Sequence, residues 1–424
     1  MVEWPRVRIG DVAEVFDGPH ATPKTVEHGP IFLGIGALQN GRINLGETRH
    51  VTEEDFKVWT RRVKPQPDDV VFSYETRLGE AALIPEGLEC CLGRRMGLVR
   101  ANRQLLNPRY FLFLYISPDY QRFIQSRTNY GATVDRIALK EFPSFEIPLP
   151  PLSEQNEIAT TLGVLDDKIE VNRQMNKTLE AMAQTLFKDW FVDFGPTRAK
   201  MEGRVPYLAT EIWSQFPARL DDTGKPEGWK SEPLSKVATF LNGLALQNYP
   251  PRSDVTLPVI KIAELRAASA TNASQASADI PPQYVINDGD VIFSWSGSLL
   301  HRVWTSGRGA LNQHLFKVTS ASYPKWFFYH WIGFHMEEFR AIAASKATTM
   351  GHIQRHHLDQ AMTIVPDDPI LSAANELIGP LFEQGIRNDL ESRNLAQTRD
   401  LLLPKLMSGE IRLREATKTI EAAL

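Results

Sequence analysis

The chain has 424 residues, of which 42% are hydrophobic and 23% are charged, and its formal net charge is −4. This length allows two or three domains with their own cores, and the composition excludes a low-complexity chain. No apolar run approaches the length of a membrane span, and the N-terminus has no apolar signal segment. The only cysteines, Cys90 and Cys91, are adjacent, so a disulfide framework is excluded and a cytoplasmic location is expected.

The charges are unevenly distributed. Residues 92–136 contain eight arginines and two aspartates, and residues 301–357 contain seven lysines and arginines, two glutamates and seven of the ten histidines. Residues 153–193 are acidic, with eight carboxylates against four cations. Two basic segments separated by an acidic one indicate a nucleic-acid binder that the net charge conceals.

Residues 1–150 are predicted to form a mixed α/β domain. Short β-like runs such as DVVFSY at 69–74 and MGLVRA at 96–101 alternate with turn signals, and PRYFLFLYISPDYQRFIQSR predicts a helix over 108–127. Residues 151–194 then predict one long helix, since their apolar positions recur at alternating steps of three and four. Asn172 and Asn176 fill two positions of this stripe.

Residues 195–230 are rich in glycine, proline and charge and predict an ordered connector, anchored by Trp213, Phe216 and Trp229. Residues 231–367 repeat the first domain: LSKVATFLNG matches IGDVAEVFDG, and DVIFSW at 290–295 matches DVVFSY. A second long helix is predicted over 368–407, followed by a tail over 408–424. Because the matches keep their order, we interpret the chain as a tandem duplication.

The two long helices are predicted to pair antiparallel, so that their central polar positions meet and fix the register. The pairing residues are Leu162, Leu165, Ile169, Asn172, Asn176, Leu179, Leu186, Ile378, Leu381, Asn388, Ser392, Leu395, Leu402 and Leu406. The alternative is two separate helices, each packed on its own domain. The predicted fold class is α+β, a duplicated α/β domain with each copy followed by a long helix, and the helices form a coiled coil with pseudo-twofold symmetry.

Motifs for catalysis are incomplete. Phe32, Gly34 and Gly36 suggest an adenosylmethionine loop, but the second half lacks the glycines and no Asn-Pro-Pro-aromatic motif is present. No phosphate loop occurs, and His352 and His356 lack a nearby carboxylate or thiolate to complete a metal site. We therefore expect no catalytic residue, no metal and no cofactor on this chain.

The duplication instead suits DNA, whose two strands are themselves related by twofold symmetry. Arginine suits phosphate and guanine, whereas glutamine and asparagine suit adenine. Arg94 and Arg95 match Gln313 and His314, which predicts guanine in one half-site and adenine in the other. The candidate DNA-binding residues are Lys24, Arg77, Arg94, Arg95, Arg127, Tyr130, Thr133, Arg136, Ser298, His301, Arg302, Asn312, Gln313, His314, Lys346, Thr349, His352 and Arg355.

Several segments resemble a known family. PLPPLSEQNEIATTLGVLDDKI, FKDWFVDFGPTRAKMEGR, PEGWK, GATVDRI and LLLPKLMSGEI at 401–411 are similar to the specificity subunits of Type I restriction–modification systems. The resemblance implies two target-recognition domains that read a bipartite asymmetric site in double-stranded DNA, with the helices as the ruler between them. It also implies two methyltransferase subunits, which bring S-adenosylmethionine and methylate adenine, and restriction subunits that use ATP and magnesium.

Two alternatives stay open on the sequence. A self-contained DNA methyltransferase or nuclease would need the motifs that are incomplete here, and incubation of the chain with adenosylmethionine and DNA distinguishes it. A coiled-coil scaffold without DNA function leaves the two basic segments unexplained, and salt-sensitive DNA binding would exclude it.

Overall fold

The computed structural model describes residues 4–20, 22–39, 41–129, 135–345, 351–411 and 413–421. The chain divides into two compact units, residues 1–169 with 394–424, and residues 170–393. Each unit contains one mixed α/β domain and a portion of both long helices. None of the helices in the described residues is both long and apolar enough to cross a membrane.

The first domain consists of short strands and short helices. Its strands are Arg6–Arg8, Ala13–Asp17, Val26–Leu33, Leu38–Gln39, Arg42–Ile43, Arg49–His50, Val70–Ser73, Ala81–Leu83, Cys90–Leu92, Met96–Ala101, Thr128–Asn129, Arg136–Ile137 and Glu146–Pro148. Its α-helices are Ile9–Val12, Glu53–Trp59, Pro108–Ile116 and Pro118–Ser126. The predicted single helix over 108–127 is therefore wrong. Ser117 takes an extended conformation before Pro118 and caps the second helix, because a residue that precedes proline is disfavoured in the helical region.

The second domain repeats this organisation. Its strands are Lys230–Pro233, Thr239–Asn242, Thr256–Ile260, Gln275–Ser277, Val285–Ile286, Val291–Ser294, His301–Val303, Gly309–Leu311, Leu315–Thr319 and Met362–Val365. Its α-helices are Leu234–Val237, Ile262–Ala267, Lys325–Ser345 and Arg355–Gln360. The connector before it contains the helices Gly195–Met201 and Thr210–Trp213, and it buries Phe216 and Trp229 in the core of the second unit.

A four-stranded antiparallel sheet is the common centre of both domains. In the first, the strand Met96–Ala101 lies between Ala13–Asp17 and Val70–Ser73, and Ala81–Leu83 forms the edge. In the second, the same places are taken by Leu315–Thr319, Thr239–Asn242, Val291–Ser294 and His301–Val303. The registers agree as well, since Met96 is opposite Ser73 as Leu315 is opposite Ser294. The predicted duplication is therefore present in the backbone pairing.

Matched residues also perform matched tasks within these sheets. The backbone N–H groups of Gly18 and Gly243 donate to the carbonyls of Met96 and Leu315, at 2.9 and 3.0 Å. A Cβ at Gly18 would lie 2.6 Å from the Met96 oxygen, and a Cβ at Gly243 would lie 2.2 Å from the oxygen of Asn312. A side chain at either position would require the backbone to move, which explains the glycines.

The first unit pairs the beginning of one long helix with the end of the other. The first long helix is Leu152–Phe187, followed by a π-helical turn over Lys188–Val192, and the second is Asp368–Met407. Three residues of the first helix share a hydrophobic cluster with three of the second: Leu162, Leu165, Ile169, Leu395, Leu402 and Leu406. Arg399 also donates from Nη1 to the carboxylate of Asp166, at 2.7 Å.

The second unit contains the polar part of the pairing. Asn172 donates from Nδ2 to the Ser392 hydroxyl at 3.3 Å, whereas Asn176 donates from Nδ2 to the Gly385 carbonyl at 3.0 Å. As the residue number rises along the first helix, the number of the contacted residue falls along the second, so the helices run antiparallel. Farther along, Leu186 shares a cluster with Ile378 and Leu381, and Leu179 lines a cavity beside Leu381. The predicted fold class is confirmed in its duplicated domains and its antiparallel helices.

Candidate nucleic-acid interface

In the first unit, three loops meet where the strands Val70–Ser73 and Met96–Ala101 expose their ends. The backbone N–H of Tyr74 donates to the carbonyl of Arg95 at 3.2 Å, and that of Ile137 donates to the carbonyl of Tyr74 at 2.9 Å. These two bonds join the residues 74–77, 93–95 and 135–137 into one edge. Arg94 and Arg136 are exposed there, and Arg95 is half-buried.

The second unit builds the same edge from matched residues. The backbone N–H of Trp295 donates to the carbonyl of His314 at 3.4 Å, and that of Ile353 donates to the carbonyl of Trp295 at 2.9 Å. The residues 295–298, 312–314 and 351–353 therefore occupy the positions of the three loops in the first unit. We call these surfaces the first and second loop edges.

Behind each loop edge, an aromatic side chain is fixed by a polar residue at the end of the first sheet strand. The Tyr74 hydroxyl donates to Oδ1 of Asp17 at 3.0 Å, and the Trp295 indole N–H donates to Oδ1 of Asn242 at 2.9 Å. Burial, reinforced by the Asp17 carboxylate, raises the pKa of Tyr74 above its usual range. Both aromatic rings are therefore held as neutral hydrogen-bond donors that anchor the loop in front of them.

The residue after each aromatic ring contacts a side chain at the front of the loop edge. Oε1 of Glu75 lies 3.1 Å from Nε of Arg95, and the Ser296 hydroxyl lies 3.0 Å from Nδ1 of His314. The two pairs use different chemistry at equivalent positions. Each loop edge thus orients one hydrogen-bonding side chain, a cation in the first unit and an imidazole in the second.

A cavity of about 580 Å³ adjoins the first loop edge. Its walls include Gly18, Leu92 and Trp59, and its rim carries the exposed Arg61 and Arg62. Trp59 packs edge-on against Phe32, with ring centroids 6.2 Å apart. This combination of arginines and an aromatic ring is the chemistry that holds phosphates and bases, and residues 59–62 lie outside both basic segments.

Comparisons with known proteins agree with this architecture. The model of the Type I restriction modification DNA specificity domain matches residues 1–181. The chain is 26% identical to the Type I restriction enzyme MjaIX specificity subunit of Methanocaldococcus jannaschii, over 97% of this chain and 94% of the relative. It is 24% identical to the Type I restriction enzyme HindI specificity subunit of Haemophilus influenzae, over 97% of this chain and 100% of the relative.

A solved structure extends the agreement to the fold. The crystal structure of a Type I restriction–modification system S subunit from M. genitalium superimposes with a TM-score of 0.52 at 14% identity, covering 95% of this chain and 96% of the other. Over nearly its whole length the chain is similar to the specificity subunits of Type I restriction–modification systems. The resemblance inferred from the helical and connector motifs is therefore confirmed.

Several predicted site residues of the first domain gather on one surface. Arg94, Arg95 and Arg136 lie on the first loop edge, and Arg127 is exposed one residue before the strand that pairs with Arg136–Ile137. Arg77 is the last residue of one of these loops, but its Nη1 donates to the carbonyl of Gly36 at 3.1 Å and its Nη2 contacts Glu80. Lys24 is exposed on a separate segment, and Tyr130 and Thr133 lie outside the described residues.

In the second domain, the predicted residues separate into two groups. The second loop edge and its immediate surroundings contain Ser298, Asn312, Gln313, His314, His352 and Arg355. The His352 ring lies 6.2 Å from that of Trp295, and the Arg355 guanidinium lies 5.8 Å from the ring of Phe316. Lys346 and Thr349 lie outside the described residues.

His301 and Arg302 have different surroundings from the loop edge. The His301 ring packs 4.6 Å from that of Tyr329, and burial, with a smaller contribution from Arg340, lowers the His301 pKa to about 4. Arg302 donates from Nη1 to the carbonyls of Leu265 and Arg266. Both side chains make packing contacts inside the second unit. Membership of the second basic segment therefore does not show that they lie on the loop edge.

Sequence reasoning missed the residues that orient the loop edges. Asp17, Glu75 and Thr76 in the first unit, and Asn242 and Ser296 in the second, carry no basic charge and lie outside the two basic segments. The available signal was the matched pair DVVFSY and DVIFSW, because Glu75 and Ser296 directly follow its two copies.

Proposed function

We propose that this chain is the non-catalytic DNA-recognition subunit of a Type I restriction–modification complex, and that it reads a bipartite asymmetric site in double-stranded DNA. The observation that carries the proposal is the duplicated loop edge, with the same backbone hydrogen bonds and different outward side chains. A repeated scaffold suits the two halves of one site, and different side chains on that scaffold suit two different base sequences.

The chemistry of the two edges indicates the bases. In the first unit, the half-buried Arg95 suits guanine, whose O6 and N7 accept two hydrogen bonds. Asn312 and Gln313 in the second unit suit adenine, which presents one donor and one acceptor in the major groove. We therefore expect guanine to be favoured in the first half-site and adenine in the second.

Exposed arginines near the two edges suit contacts with the DNA phosphates rather than with the bases. Arg94 and Arg355 are exposed at the two edges, where phosphate contacts would set the position of the duplex without selecting a sequence. Such contacts release counterions, so binding by the complex should weaken steeply as salt is added. Base selection then depends on the half-buried, oriented side chains behind them.

The similarity to Type I specificity subunits supports a proposal for the partners. Two methyltransferase subunits would use S-adenosylmethionine to methylate adenine at N6, and restriction subunits would use ATP and magnesium. The recognition subunit positions both activities by fixing the complex on the DNA in the cytoplasm. The long helices would set the spacer between the half-sites.

The experiment is methylation mapping. The chain would be expressed together with its methyltransferase subunits in a host without adenine methylation, and methylated adenines would be located by single-molecule sequencing. We expect one motif made of two specified halves and an unspecified spacer. An undivided motif, or methyl transfer by the purified chain alone, would contradict the proposal.

A further inference from the structure

Thr76 and Gly297 occupy the same position in the two loop edges. Thr76 follows Ser73, Tyr74 and Glu75, and Gly297 follows the matched residues of the second copy. The backbone N–H of Thr76 donates to the carbonyl of Asp135 at 3.2 Å, and that of Gly297 donates to the carbonyl of Gly351 at 2.8 Å. Both residues have a left-handed backbone, with φ of 72° and 62°.

This backbone conformation favours glycine. Glycine adopts positive φ without strain, whereas a β-branched residue such as threonine is a steric outlier there. Gly297 of the second unit therefore adopts positive φ without strain, whereas Thr76 of the first unit adopts it at a steric cost. A strained residue persists only when its surroundings hold it, and such residues cluster at functional sites.

The Thr76 hydroxyl supplies a contact that glycine lacks. It accepts a hydrogen bond from Nη1 of Arg95 at 3.0 Å, while Glu75 contacts Nε of the same guanidinium at 3.1 Å. Arg95 itself has a left-handed backbone, with φ of 72°. In the second unit, the His314 ring is oriented by the Ser296 hydroxyl, so a hydroxyl at the position of Gly297 is not required there.

We propose that Glu75 and Thr76 are positioning residues that fix Arg95 as a base-reading side chain for the first half-site, and that the strained backbone of Thr76 is retained for this purpose. The inference rests on the proposed function and deepens it. The hydrogen bond at Nη1 and the ion pair with Glu75 beside Nε restrict the plane of the guanidinium, because the group is rigid. A fixed plane lets the remaining N–H groups meet the O6 and N7 of guanine with little loss of side-chain entropy.

Glu75 adds selectivity of a second kind. Its carboxylate lies beside Arg95 and repels a phosphate that approaches the same guanidinium. The guanine edge carries no formal charge, so it experiences less of this repulsion. Glu75 therefore disfavours non-specific backbone contacts by Arg95 and favours base contacts.

The test uses the full chain in complex with its methyltransferase subunits and duplexes that contain the mapped site. Binding is measured for the intact site and for single-base changes in each half. Thr76→Gly should lower discrimination within the first half-site by about tenfold, the size of one good bidentate contact, and leave the second half-site unchanged. Its melting temperature should equal or exceed that of the wild type, because strain is relieved.

Two variants serve as controls. Thr76→Ser keeps the hydroxyl and should retain discrimination in the first half-site. Ala268→Gly relieves another left-handed residue, with φ of 49°, and should change discrimination in neither half.

The inference is overturned if Thr76→Gly keeps its first half-site discrimination within twofold, loses it equally in both halves, or melts several degrees lower. A wild-type complex without sequence preference would instead refute the proposed function.

Discussion

The side-chain amide of Asn388 donates a hydrogen bond to Oδ1 of Asn176, 2.8 Å away on the opposite long helix. Asn388 is buried, with 3% exposure, and it also accepts a hydrogen bond from Gln384 at 2.7 Å. A buried amide between apolar layers stabilises a helix pair only in the register that supplies its partner. The pair therefore selects one alignment of the two helices in the second unit.

Asn388→Ala should lower the free energy of unfolding by about 1–3 kcal/mol, because Oδ1 of Asn176 loses its donor within the helix interface. Urea denaturation followed by circular dichroism would measure the loss. Arg387→Ala removes an exposed neighbour on the same helix and should change stability by at most about 0.5 kcal/mol. Equal effects of the two variants would show that the buried amide does not control the pairing.

A buried histidine should make the second unit sensitive to acid. His330 is 6% exposed, its ring lies 5.2 Å from that of Phe187, and burial, with a smaller contribution from His301, lowers its pKa from 6.5 to about 4. The unfolded chain then binds a proton at higher pH than the folded chain does. Stability should be fully present above about pH 6.5, and should fall toward pH 4 by up to about 1.4 kcal/mol per pH unit.

Chemical denaturation at a series of pH values checks this expectation. His330→Phe keeps a ring in the apolar site and should remove part of the slope between pH 6.5 and pH 4. His356→Phe changes an exposed histidine of the same domain and should leave the slope in place. An unaltered slope in His330→Phe would mean that other groups cause the acid sensitivity.

The duplication and the helix pairing were predictable because they depend on local patterns. DVVFSY and DVIFSW are short apolar runs that form strands buried on both faces, and the ordered repeat fixes the sheet around each of them. The polar positions Asn172 and Asn176 interrupt an apolar stripe, which indicates a polar partner with the same spacing. Both features can therefore be predicted without knowing which residues distant in sequence are in contact.

The individual reading residues were less predictable because their roles depend on partners distant in sequence. Arg100 pairs with Asp69, Arg103 with Asp68 and Arg109 with Asp167, so three arginines of the first basic segment contact acids outside it. His301 is packed inside the second unit, and its place in the second basic segment does not predict this. Thr76 carries no charge, and its importance rests on a backbone angle that no sequence pattern reports.

Arg94 and Arg100 belong to one basic segment, but their mutation should affect different properties: DNA binding for Arg94 and folding stability for Arg100. Arg94 is exposed at the first loop edge, whereas Arg100 contacts both carboxylate oxygens of the buried Asp69, at 2.9 and 2.7 Å. Arg94→Ala should weaken DNA binding for all sequences and reduce the salt dependence by about one counterion. Arg100→Ala should instead lower stability by about 1–3 kcal/mol, since a buried carboxylate loses its partner.

Binding isotherms at several salt concentrations, together with urea denaturation, separate the two effects. Each variant serves as the control for the other. If Arg94→Ala left the salt dependence unchanged, the first loop edge would not lie against the DNA backbone.

Ser296→Ala should act on the second half-site alone. Ser296 is buried, with 3% exposure, and its hydroxyl orients the His314 ring through Nδ1. Loss of one neutral hydrogen bond should lower discrimination within that half-site by about three- to tenfold and leave the first half-site intact. Competition binding with single-base variants of both halves measures this, and Ser322→Ala, an exposed serine in the same domain, is the matched control. Equal losses in both half-sites would show that Ser296 supports the fold of the domain rather than the orientation of His314.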